Sequence, residues 1–391
     1  MPWLFERVST QQKRRFILPN ASLESIYMSM TPQNLKSGNV VRLNPTRPDF
    51  EVHFGGPDKQ PGALRNLLSD KIDAVPAGGS IDWVTYYFRD RPLARKLIEA
   101  AARGVKVTLV LEGKPRIVKA NQQVISILSG EKGLGEGLRT IALPGVPSPS
   151  GIGWKPQVHE KIYCFSHPRP TALFGSFNPS GDFPEDDPAI LWKIGNHNIA
   201  HNALVETRDV KMVGSLVEHI RSLHRDGSSL YYRFWGRSHS LDFGHTVLHF
   251  WPRITRHPIE MFLDGFGQGS RVRIAASHIR FSRSVSRLIA LARRGARVEV
   301  LSESTSRRVP LKTEERLRAA GIKFARLGQL QNVPMHLKLI LAENEYGKWS
   351  VFGSFNWTLP SYLLNHEIAA VSSDPYVFAE FDRRWNELRS D

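Results

Sequence analysis

The sequence has a single cysteine, Cys164, among its 391 residues. One thiol excludes an intramolecular disulfide and a metal site built on several cysteines, which fits a reducing compartment. No run of about 18 apolar residues, the length that a membrane-spanning helix needs, is present. The segment Met1–Met30 mixes charged with apolar residues and lacks the apolar centre of a signal peptide. These absences predict a cytoplasmic protein, either free or peripheral on the inner face of the membrane.

Acidic residues are scarce relative to basic ones. Lysine and arginine number 53 against 37 aspartates and glutamates, which gives a formal net charge of +16. Such an excess favours anionic partners, namely a phospholipid surface or nucleic acid. The basic residues are scattered rather than gathered in one tract, so a general bias towards arginine is the alternative interpretation.

One sequence pattern occurs twice in the chain. Each copy has a His-x-Lys tract followed by the pentapeptide Phe-Gly-Ser-Phe-Asn. The copies are His159-Glu-Lys161 with Phe174-Gly-Ser-Phe-Asn178 and His336-Leu-Lys338 with Phe352-Gly-Ser-Phe-Asn356. A lone His-x-Lys tract is most often a strand with polar residues facing solvent, but two copies at matched spacing are hard to attribute to chance. The repeat supplies imidazole, ammonium, hydroxyl and carboxamide groups twice, a set suited to attack on a phosphodiester.

The segments upstream of the two tracts are also alike. Leu97–Gly113 and Leu288–Glu303 each show an amphipathic helical pattern, a glycine at the helix end, and alternating residues typical of a strand. The alternation of strands with helices predicts an α/β fold, and the repeat predicts two halves with pseudo-two-fold symmetry. The predicted divisions are an N-terminal arm (1–47), a first half (48–226), a linker (227–242) and a second half (243–391).

Several features outside the repeat leave alternatives open. In the linker, Tyr231–Trp235 is expected to be a buried strand, with a lipid or base contact as the alternative. Gly145–Gln157 and Gly181–Asn198 flank the first copy of the repeat, and each is either a lid or specificity loop or a plain surface excursion. The histidines outside the repeat, His197 among them, are not followed by a lysine and a pentapeptide at the spacing of the repeat. They are expected to be surface or structural residues.

With both His-x-Lys tracts on one chain, the sequence resembles the phospholipase D superfamily over most of residues 50–390. The resemblance implies two phospholipase D-like halves, each a mixed β-sheet flanked by helices, packed as one unit. The family pattern has an aspartate five residues after each lysine, where this chain has Ser166 and Glu343. Active branches such as the tyrosyl-DNA phosphodiesterases also lack it, so this departure does not imply an inactive protein.

The resemblance also implies roles for the repeated residues. His159 is expected to attack phosphorus and form a covalent phosphohistidine, and His336 to act as general acid and then as general base. The residues expected to hold the phosphate oxygens, or to support the turns that do so, are Lys161, Lys338, Asn178, Asn356, Ser176 and Ser354.

One further position is implied downstream of each pentapeptide. Asn202 and Glu367 stand at the same distance from an aspartate that ends each segment, and in the resembled family this position supports a catalytic histidine, often that of the opposite half. Glu367 would then support His159, and Asn202 would support His336.

No metal or other cofactor is expected, because lysines supply the positive charge and no carboxylate cluster is spaced for Mg²⁺ or Zn²⁺. Three functions stay open: a phospholipase D or phosphatidyltransferase at an anionic membrane surface, a nuclease or nucleic-acid phosphodiesterase, and a binding protein without activity. The first is the favoured prediction, although Gly353–Thr358 resembles the nuclease members. A closed pocket edged by apolar residues would favour a lipid, whereas a long basic trough would favour nucleic acid.

Overall fold

The computed structural model describes residues 49–145, 153–181, 187–327 and 333–390. The predicted N-terminal arm, residues 1–47, lies outside this described part. The strands are β1 (Phe50–Gly55), β2 (Ser80–Thr85), β3 (Lys106–Glu112), β4 (Leu138–Ile141), β5 (Ile162–Phe165), β6 (Thr171–Gly175), β7 (Asn202–Thr207), β8 (Ser240–Asp242), β9 (Thr246–Trp251), β10 (Arg271–Ala276), β11 (Arg297–Ser302), β12 (Lys323–Arg326), β13 (Lys338–Asn344), β14 (Gly347–Gly353) and β15 (Glu367–Ser372).

The helices alternate with these strands in both halves of the chain. They are α1 (Ala63–Asp73), α2 (Arg91–Ala102), α3 (Lys119–Leu128), α4 (Pro188–Ile194), α5 (Val210–Asp226), α6 (Leu230–Phe234), α7 (Pro258–Asp264), α8 (Ser282–Arg293), α9 (Leu311–Ala319), α10 (Leu359–Leu363) and α11 (Pro375–Ser390). Within the described ranges, no helix combines the length and the apolar character needed to cross a membrane.

Two β-sheets repeat one strand order. The first sheet has the order β4-β3-β2-β5-β6-β7-β1, and the second has β12-β11-β10-β13-β14-β15-β9, with β8 added at its edge. At one end of each sheet the neighbouring strands are parallel. The pairs that carry the repeated tracts are antiparallel. The predicted α/β fold with two halves, each a mixed sheet flanked by helices, is confirmed.

The helix–glycine–strand segments form where the repeat predicts them. Helix α2 is followed by Gly104 with φ 93°, and helix α8 by Gly295 with φ 90°. These left-handed conformations suit glycine, because a Cβ atom would make them strained. Each glycine therefore turns the chain from a helix directly into the next buried strand, β3 or β11.

Equivalent residues of the two halves meet each other, as a two-fold axis requires. Phe174 and Phe352, the first residues of the two pentapeptides, stack with their ring centroids 5.6 Å apart. Both rings belong to one buried apolar cluster that also takes Phe54 from β1 and Phe381 from α11. The two sheets consequently share one core, and the described residues form one compact unit.

The linker corrects one prediction. Tyr231–Trp235 is not a buried strand, because Leu230–Phe234 forms helix α6. The exposed fraction is 69% for Tyr231 and 59% for Trp235. The side chain of Ser229 accepts a hydrogen bond from the backbone N–H of Tyr232, and this N-cap favours a helix over an extended strand.

Candidate active site

The two copies of the repeat place their polar residues at equivalent points of the sheets. His159 and Lys161 lie directly before β5, while His336 lies directly before β13, which begins at Lys338. The serine and asparagine of each pentapeptide follow the paired strand, β6 or β14. The predicted site residues are all buried, with at most 9% exposure; they are His159, Lys161, Ser176, Asn178, Asn202, His336, Lys338, Ser354, Asn356 and Glu367.

The glycine of each pentapeptide allows two backbones to approach closely. A Cβ atom on Gly175 would lie 2.2 Å from the carbonyl oxygen of Ala203, and one on Gly353 would lie 2.2 Å from that of Ile368. Any side chain would therefore push the turn away from the neighbouring strand, β7 or β15. This close approach brings the serine that follows each glycine against that strand.

Each repeated histidine is held by a side chain from the other half. His159 Nδ1 lies 2.8 Å from Glu367 Oε2, and His336 Nδ1 lies 2.9 Å from Asn202 Oδ1. Carboxylate and amide oxygens accept hydrogen bonds, so Nδ1 of each ring carries the hydrogen. In the neutral imidazole, Nε2 is then the atom with a free lone pair, available as a nucleophile or a base.

The pentapeptide serines hold these supporting side chains. Ser176 Oγ accepts a hydrogen bond from the backbone of β7 and donates to Asn202 Oδ1 at 3.1 Å. Ser354 Oγ accepts one from the backbone of β15 and donates to Glu367 Oε2. Each serine therefore orients the residue that contacts the histidine of the opposite half.

Backbone hydrogen bonds fix the same two histidines across the interface. The N–H of His159 donates to the carbonyl oxygen of His366 at 2.8 Å, and that of His336 donates to the carbonyl oxygen of His201 at 3.0 Å. The two accepting residues directly precede the supporting glutamate and asparagine. Each histidine is thus attached by main chain and side chain to one short segment of the other half.

Two buried carboxylates, which sequence reasoning missed, fix the residue before each histidine. Glu112 Oε2 accepts a hydrogen bond from the backbone N–H of Val158 at 2.7 Å, and Glu303 Oε2 accepts one from that of Met335 at 2.8 Å. Burial raises the pKa of Glu112 to about 7 and also raises that of Glu303. Glu112 and Glu303 stand at equivalent positions of the helix–glycine–strand repeat. An alignment of the two halves of the sequence could therefore have identified them.

Different rings flank the two histidines. Tyr86 packs edge-on against His159 with centroids 4.9 Å apart, and Lys161 Nζ lies 5.4 Å from the centroid of the same tyrosine ring. His197 packs against His336 with centroids 4.3 Å apart and is buried. His197, which was expected to be a surface or structural residue, therefore lies at the site and lines the same cavity as His336. Sequence reasoning missed it because it stands outside the repeated tracts.

Burial sets the protonation of the charged residues at the site. It lowers the pKa of His159 to about 4 and that of Lys161 to about 7. Burial, followed by neighbouring positive charge, also lowers the pKa of His336 and Lys338 well below their usual ranges. Burial opposes ionisation of Glu367, but the adjacent imidazole, lysine and hydrogen bonds outweigh it and lower the pKa of this carboxyl. His159 is therefore a neutral imidazole, and Glu367 beside it is an ionised carboxylate.

Both histidines line one cavity of about 720 Å³. Part of its wall is apolar, with Trp154, Ile117, Phe281 and Leu359, and Trp192 stands at its edge with 73% of its surface exposed. Five cations also line it, and the lining residues that the structure describes include no aspartate or glutamate. The cations are Arg116, Lys193, Arg280, Arg307 and Arg308.

The two segments that flank the first copy of the repeat, Gly145–Gln157 and Gly181–Asn198, both contribute to this lining. The described part of the first supplies Trp154 and Gln157, and helix α4 in the second supplies Trp192 and Lys193. Residues 146–152 and 182–186 of these segments lie outside the described ranges. The described parts of both segments therefore line the cavity, and a role of either segment as a lid or specificity loop stays a prediction.

The two positions that depart from the family pattern lie away from the cavity. Ser166 Oγ accepts a hydrogen bond from the backbone N–H of Ser80 at 2.7 Å. Glu343 forms an ion pair with Arg273 at 3.1 Å. Neither Ser166 nor Glu343 lines the cavity, so the departure changes contacts at the distant ends of β5 and β13.

One group of three side chains in the described part of the chain has its ligand atoms close enough together for a metal ion. It consists of Glu51, His53 and Glu206, which stand outside the cavity lining. Lys71 and Arg208 form ion pairs with Glu206 at 3.0 and 2.8 Å. Cations of the protein thus already neutralise this group.

The chain is similar to several known proteins. A family model described as cardiolipin synthase, PLD-like domain (PLD for phospholipase D), matches residues 74–212 and 267–389, and each segment contains one copy of the repeat. No curated protein matches the sequence. The phosphatidylserine synthase of Haemophilus influenzae has a similar structure, with a TM-score of 0.59 and 11% identity over 87% of this chain and 86% of that one.

A second solved structure shares the fold. The polyphosphate kinase of Porphyromonas gingivalis gives a TM-score of 0.56 and 14% identity over 88% of this chain. The present chain spans 50% of the length of that kinase. At these identities, the likeness to both solved structures concerns the fold.

Proposed function

The chain belongs to the family of cardiolipin synthase, PLD-like domains, and on this basis we propose that it cleaves phosphodiester bonds of phospholipids and passes the phosphatidyl group to water or to an alcohol. One observation carries the proposal: two histidines, each supported from the opposite half, open into the same cavity together with the asparagine of each repeat. Such a pair suits a displacement that proceeds in two steps at one phosphorus atom.

In the first step, His159 Nε2 attacks phosphorus, and the bond between phosphorus and the leaving oxygen breaks. A covalent phosphohistidine forms, and the carboxylate of Glu367 stabilises the positive charge that develops on this ring. Protonated His336 donates its proton to the leaving oxygen. The bound phosphate offsets the burial of His336, because its negative charge favours the protonated imidazole.

In the second step, His336 removes a proton from water or an alcohol, whose oxygen attacks phosphorus and breaks the bond to His159. The side chains assigned to the non-bridging oxygens are Lys161, Lys338, Asn178 and Asn356. Asn178 Nδ2 is buried without a hydrogen-bond partner in the described part of the chain, so this donor is left for a ligand. The same lysines supply the charge that a metal ion supplies in other phosphodiesterases.

The cavity wall supports a lipid as the substrate. Trp192 at the edge, with Trp154 and Leu359 inside, offers apolar contact to acyl chains beside the polar floor. The net charge of +16 suits an anionic bilayer surface. We therefore place the enzyme at the cytoplasmic surface of an anionic membrane.

The cationic part of the lining, which has no aspartate or glutamate among the residues that the structure describes, favours a second function, cleavage of nucleic acid. A nucleic acid presents successive phosphates to such a surface, and cations that neutralise them give strong, salt-dependent binding. The apolar side chains at the same cavity make the phospholipid the better supported substrate.

A side-by-side assay separates these functions. Mixed phospholipids, single-stranded DNA and double-stranded DNA are incubated with the protein in EDTA, with His159→Ala as the blank. The expected result is release of head groups from lipid, undiminished by EDTA. Cleavage of DNA alone would replace the phospholipid by nucleic acid, and an absence of any turnover would leave a binding protein.

The covalent step has its own test. His336→Ala lacks both the acid of the first step and the base of the second, so a phosphatidyl adduct should accumulate on His159 when the substrate carries a leaving group that departs without a proton, such as p-nitrophenolate. Mass spectrometry of the quenched protein locates the adduct. Finding it on His336 of the unmodified protein instead would reverse the two assignments.

A further inference from the structure

We infer that the cavity contains a second anion subsite, formed by Arg308 with Arg116 and Arg280, which binds a phosphate group carried by the leaving group of the substrate. The inference rests on the proposed function, because that function assigns His336 to the leaving oxygen. It extends the function by naming the chemistry of the group that departs.

The lining holds more positive charge than one phosphodiester requires. The scissile phosphodiester has a single negative charge, and the lysines and asparagines of the repeat are assigned to it. The cavity adds five further cations, with no carboxylate among its described lining residues. Like charges that line one cavity repel each other, and an anion bound between them relieves this repulsion.

Arg308 is the buried member of this group, with 6% exposure. Among its guanidinium nitrogens, only Nη1 forms hydrogen bonds within the described residues, to Ser277 Oγ at 3.2 Å and Glu303 Oε2 at 3.3 Å. Both contacts are long, and the same carboxylate oxygen already holds the backbone of Met335. A guanidinium has five N–H donors, so most of those of Arg308 are left for a ligand.

Arg116 of the first half and Arg308 of the second line the same cavity, together with Tyr87 and His278. Burial raises the pKa of Tyr87, and the positive charges of both arginines oppose this rise. Burial lowers the pKa of His278, and the same two arginines lower it further. His278 Nδ1 is buried without a partner in the described part of the chain, and both rings line the cavity.

The exposed members are free to turn towards a ligand. Arg116 and Arg280 line the cavity, and their guanidinium groups form no hydrogen bond or ion pair with any residue that the structure describes. Arginine matches the oxygens of a phosphate with pairs of parallel N–H donors. Three guanidinium groups at one cavity therefore suit a phosphate group, whose several oxygens and double charge can engage more than one of them.

The subsite lies on the side of His336, because Glu303 Oε2 accepts hydrogen bonds both from Arg308 Nη1 and from the backbone N–H of Met335, the residue before His336. The charge of Arg308 contributes to the lowered pKa of His336 and of His197, after burial and nearer groups. The charges that act most strongly on His159 are instead those of Glu367 and the two lysines. When the bond between phosphorus and His159 Nε2 forms, the bond to the leaving oxygen breaks, and the leaving group departs with its own phosphate and the proton from His336.

The subsite is tested first by binding alone. Arg116→Gln/Arg280→Gln removes two exposed guanidinium groups, and Arg95→Gln, an exposed position on α2 outside the cavity, is the matched control. Calorimetry measures the affinities for inorganic phosphate, diphosphate and triphosphate. The unmodified protein and Arg95→Gln should bind at least one longer anion about tenfold more tightly than phosphate, a gain that corresponds to about 1.4 kcal/mol. The double variant should lose most of this gain.

Two outcomes of the binding experiment would overturn the subsite. One is equal affinity of the unmodified protein for all three anions. The other is a gain for the longer anions that the double variant keeps in full.

A kinetic comparison then tests the leaving-group side. Phosphatidylglycerol and its terminal phosphate monoester share the phosphatidyl group, so the two lipids differ only in the leaving group, and each is presented as a minor component of vesicles that are matched in total surface charge. The phosphorylated lipid should show a kcat/KM about tenfold higher. This ratio should fall towards unity in the double variant and persist in Arg95→Gln. Equal kcat/KM values for the two lipids with the unmodified protein would overturn the leaving-group assignment.

The same measurements separate a failure of the subsite from a failure of the proposed function. Should neither lipid be cleaved, the phospholipid proposal falls, and the calorimetric result still decides the subsite. Cleavage of a dinucleotide that carries a terminal phosphate, with a preference lost in the double variant, would support the subsite and replace the lipid by nucleic acid.

Discussion

At the scale of single residues, the two halves differ in the group that supports each histidine. A carboxylate contacts His159, whereas a neutral amide contacts His336. The negative charge of Glu367 stabilises a positive imidazole ring, which suits a histidine that becomes a phosphohistidine. Asn202 orients its ring without that charge, so His336 gives up a proton more readily. This difference assigns the two roles in the proposed mechanism.

Exchanging the two kinds of support should have unequal effects. Glu367→Gln keeps the shape and an acceptor for Nδ1–H but removes the charge, so kcat should fall by a factor on the order of 10² to 10⁴. Asn202→Asp adds a charge beside the acid and should cost far less. Steady-state kinetics measure both, with circular dichroism to verify folding. Equal and small losses would show that these side chains do not serve the site.

The buried lysine predicts how activity depends on pH. His159 must be unprotonated to attack, and its pKa of about 4 means that this form is gained as pH rises through 4. Lys161 must be charged to bind phosphate, and its pKa of about 7 means that the charge is lost as pH rises through 7. At saturating substrate, where the bound phosphate favours protonated His336, kcat should rise above pH 4 and fall where Lys161 loses its charge, at pH 7 or above.

Lys161→Arg provides the control for this profile. Arginine stays charged throughout this range, so the fall above pH 7 should move to higher pH whatever the absolute rate of the variant. An unchanged alkaline limb in Lys161→Arg would assign that limb to another group.

At the scale of the elements, the sequence predicted those features that the repeat contains. The helix–glycine–strand segments around Gly104 and Gly295 were predictable because a local pattern determines each of them. The walls of the cavity were not, because Arg116 and Arg308 come from different halves and meet only after the halves pack. The sequence predicts a strand where helix α6 forms, because the aromatic run has no clear period and the N-cap at Ser229 favours the helix.

The ends of β3 and β11 carry a second feature that no local pattern shows. Glu112 continues a strand of alternating apolar residues, yet its carboxylate accepts the backbone N–H just before His159. Strand β3 does not pair with β5, so the contact arises from packing rather than from sheet register. A carboxylate at this point positions the tract, and burial makes its ionisation costly.

The substitution Glu112→Gln should show, in the free energy of unfolding, what it costs to ionise this buried carboxyl group. The pKa of Glu112 is raised from 4.5 to about 7 in the folded protein, so the folded state holds this proton more tightly than the unfolded state. The free energy of unfolding should therefore fall as pH rises from about 4.5 to 7, and stay reduced above it. Glutamine keeps an acceptor for Val158 without ionising. The variant should gain stability relative to the unmodified protein between pH 4 and pH 8.

Urea denaturation at the two pH values measures this gain. Glu131→Gln, a substitution at an exposed residue after α3, is the matched control and should show no such difference. A stability difference between Glu112→Gln and the unmodified protein that is the same at both pH values would contradict the prediction.

At the scale of the whole molecule, the site exists only where the two halves meet. The N–H of His159 and its Nδ1 both bond to the second half, and those of His336 both bond to the first. The stacked pair of Phe174 and Phe352 lies in the core that joins the sheets. Separating the halves would therefore remove the support of both histidines and expose apolar surface at the same time.

A cut between Ser228 and Ser229 tests this dependence, since both residues are exposed and the N-cap of α6 stays with the second fragment. Fragments 1–228 and 229–391, purified separately, should each lack turnover, because neither supplies both imidazoles. Co-expression should restore activity, since the shared core brings the fragments together. A first fragment with His159→Ala, co-expressed with the second, should stay inactive. Turnover by 1–228 alone at the full-length rate, with size-exclusion chromatography showing a monomer, would mean that one half suffices and that the crosswise hydrogen bonds serve the fold rather than the reaction.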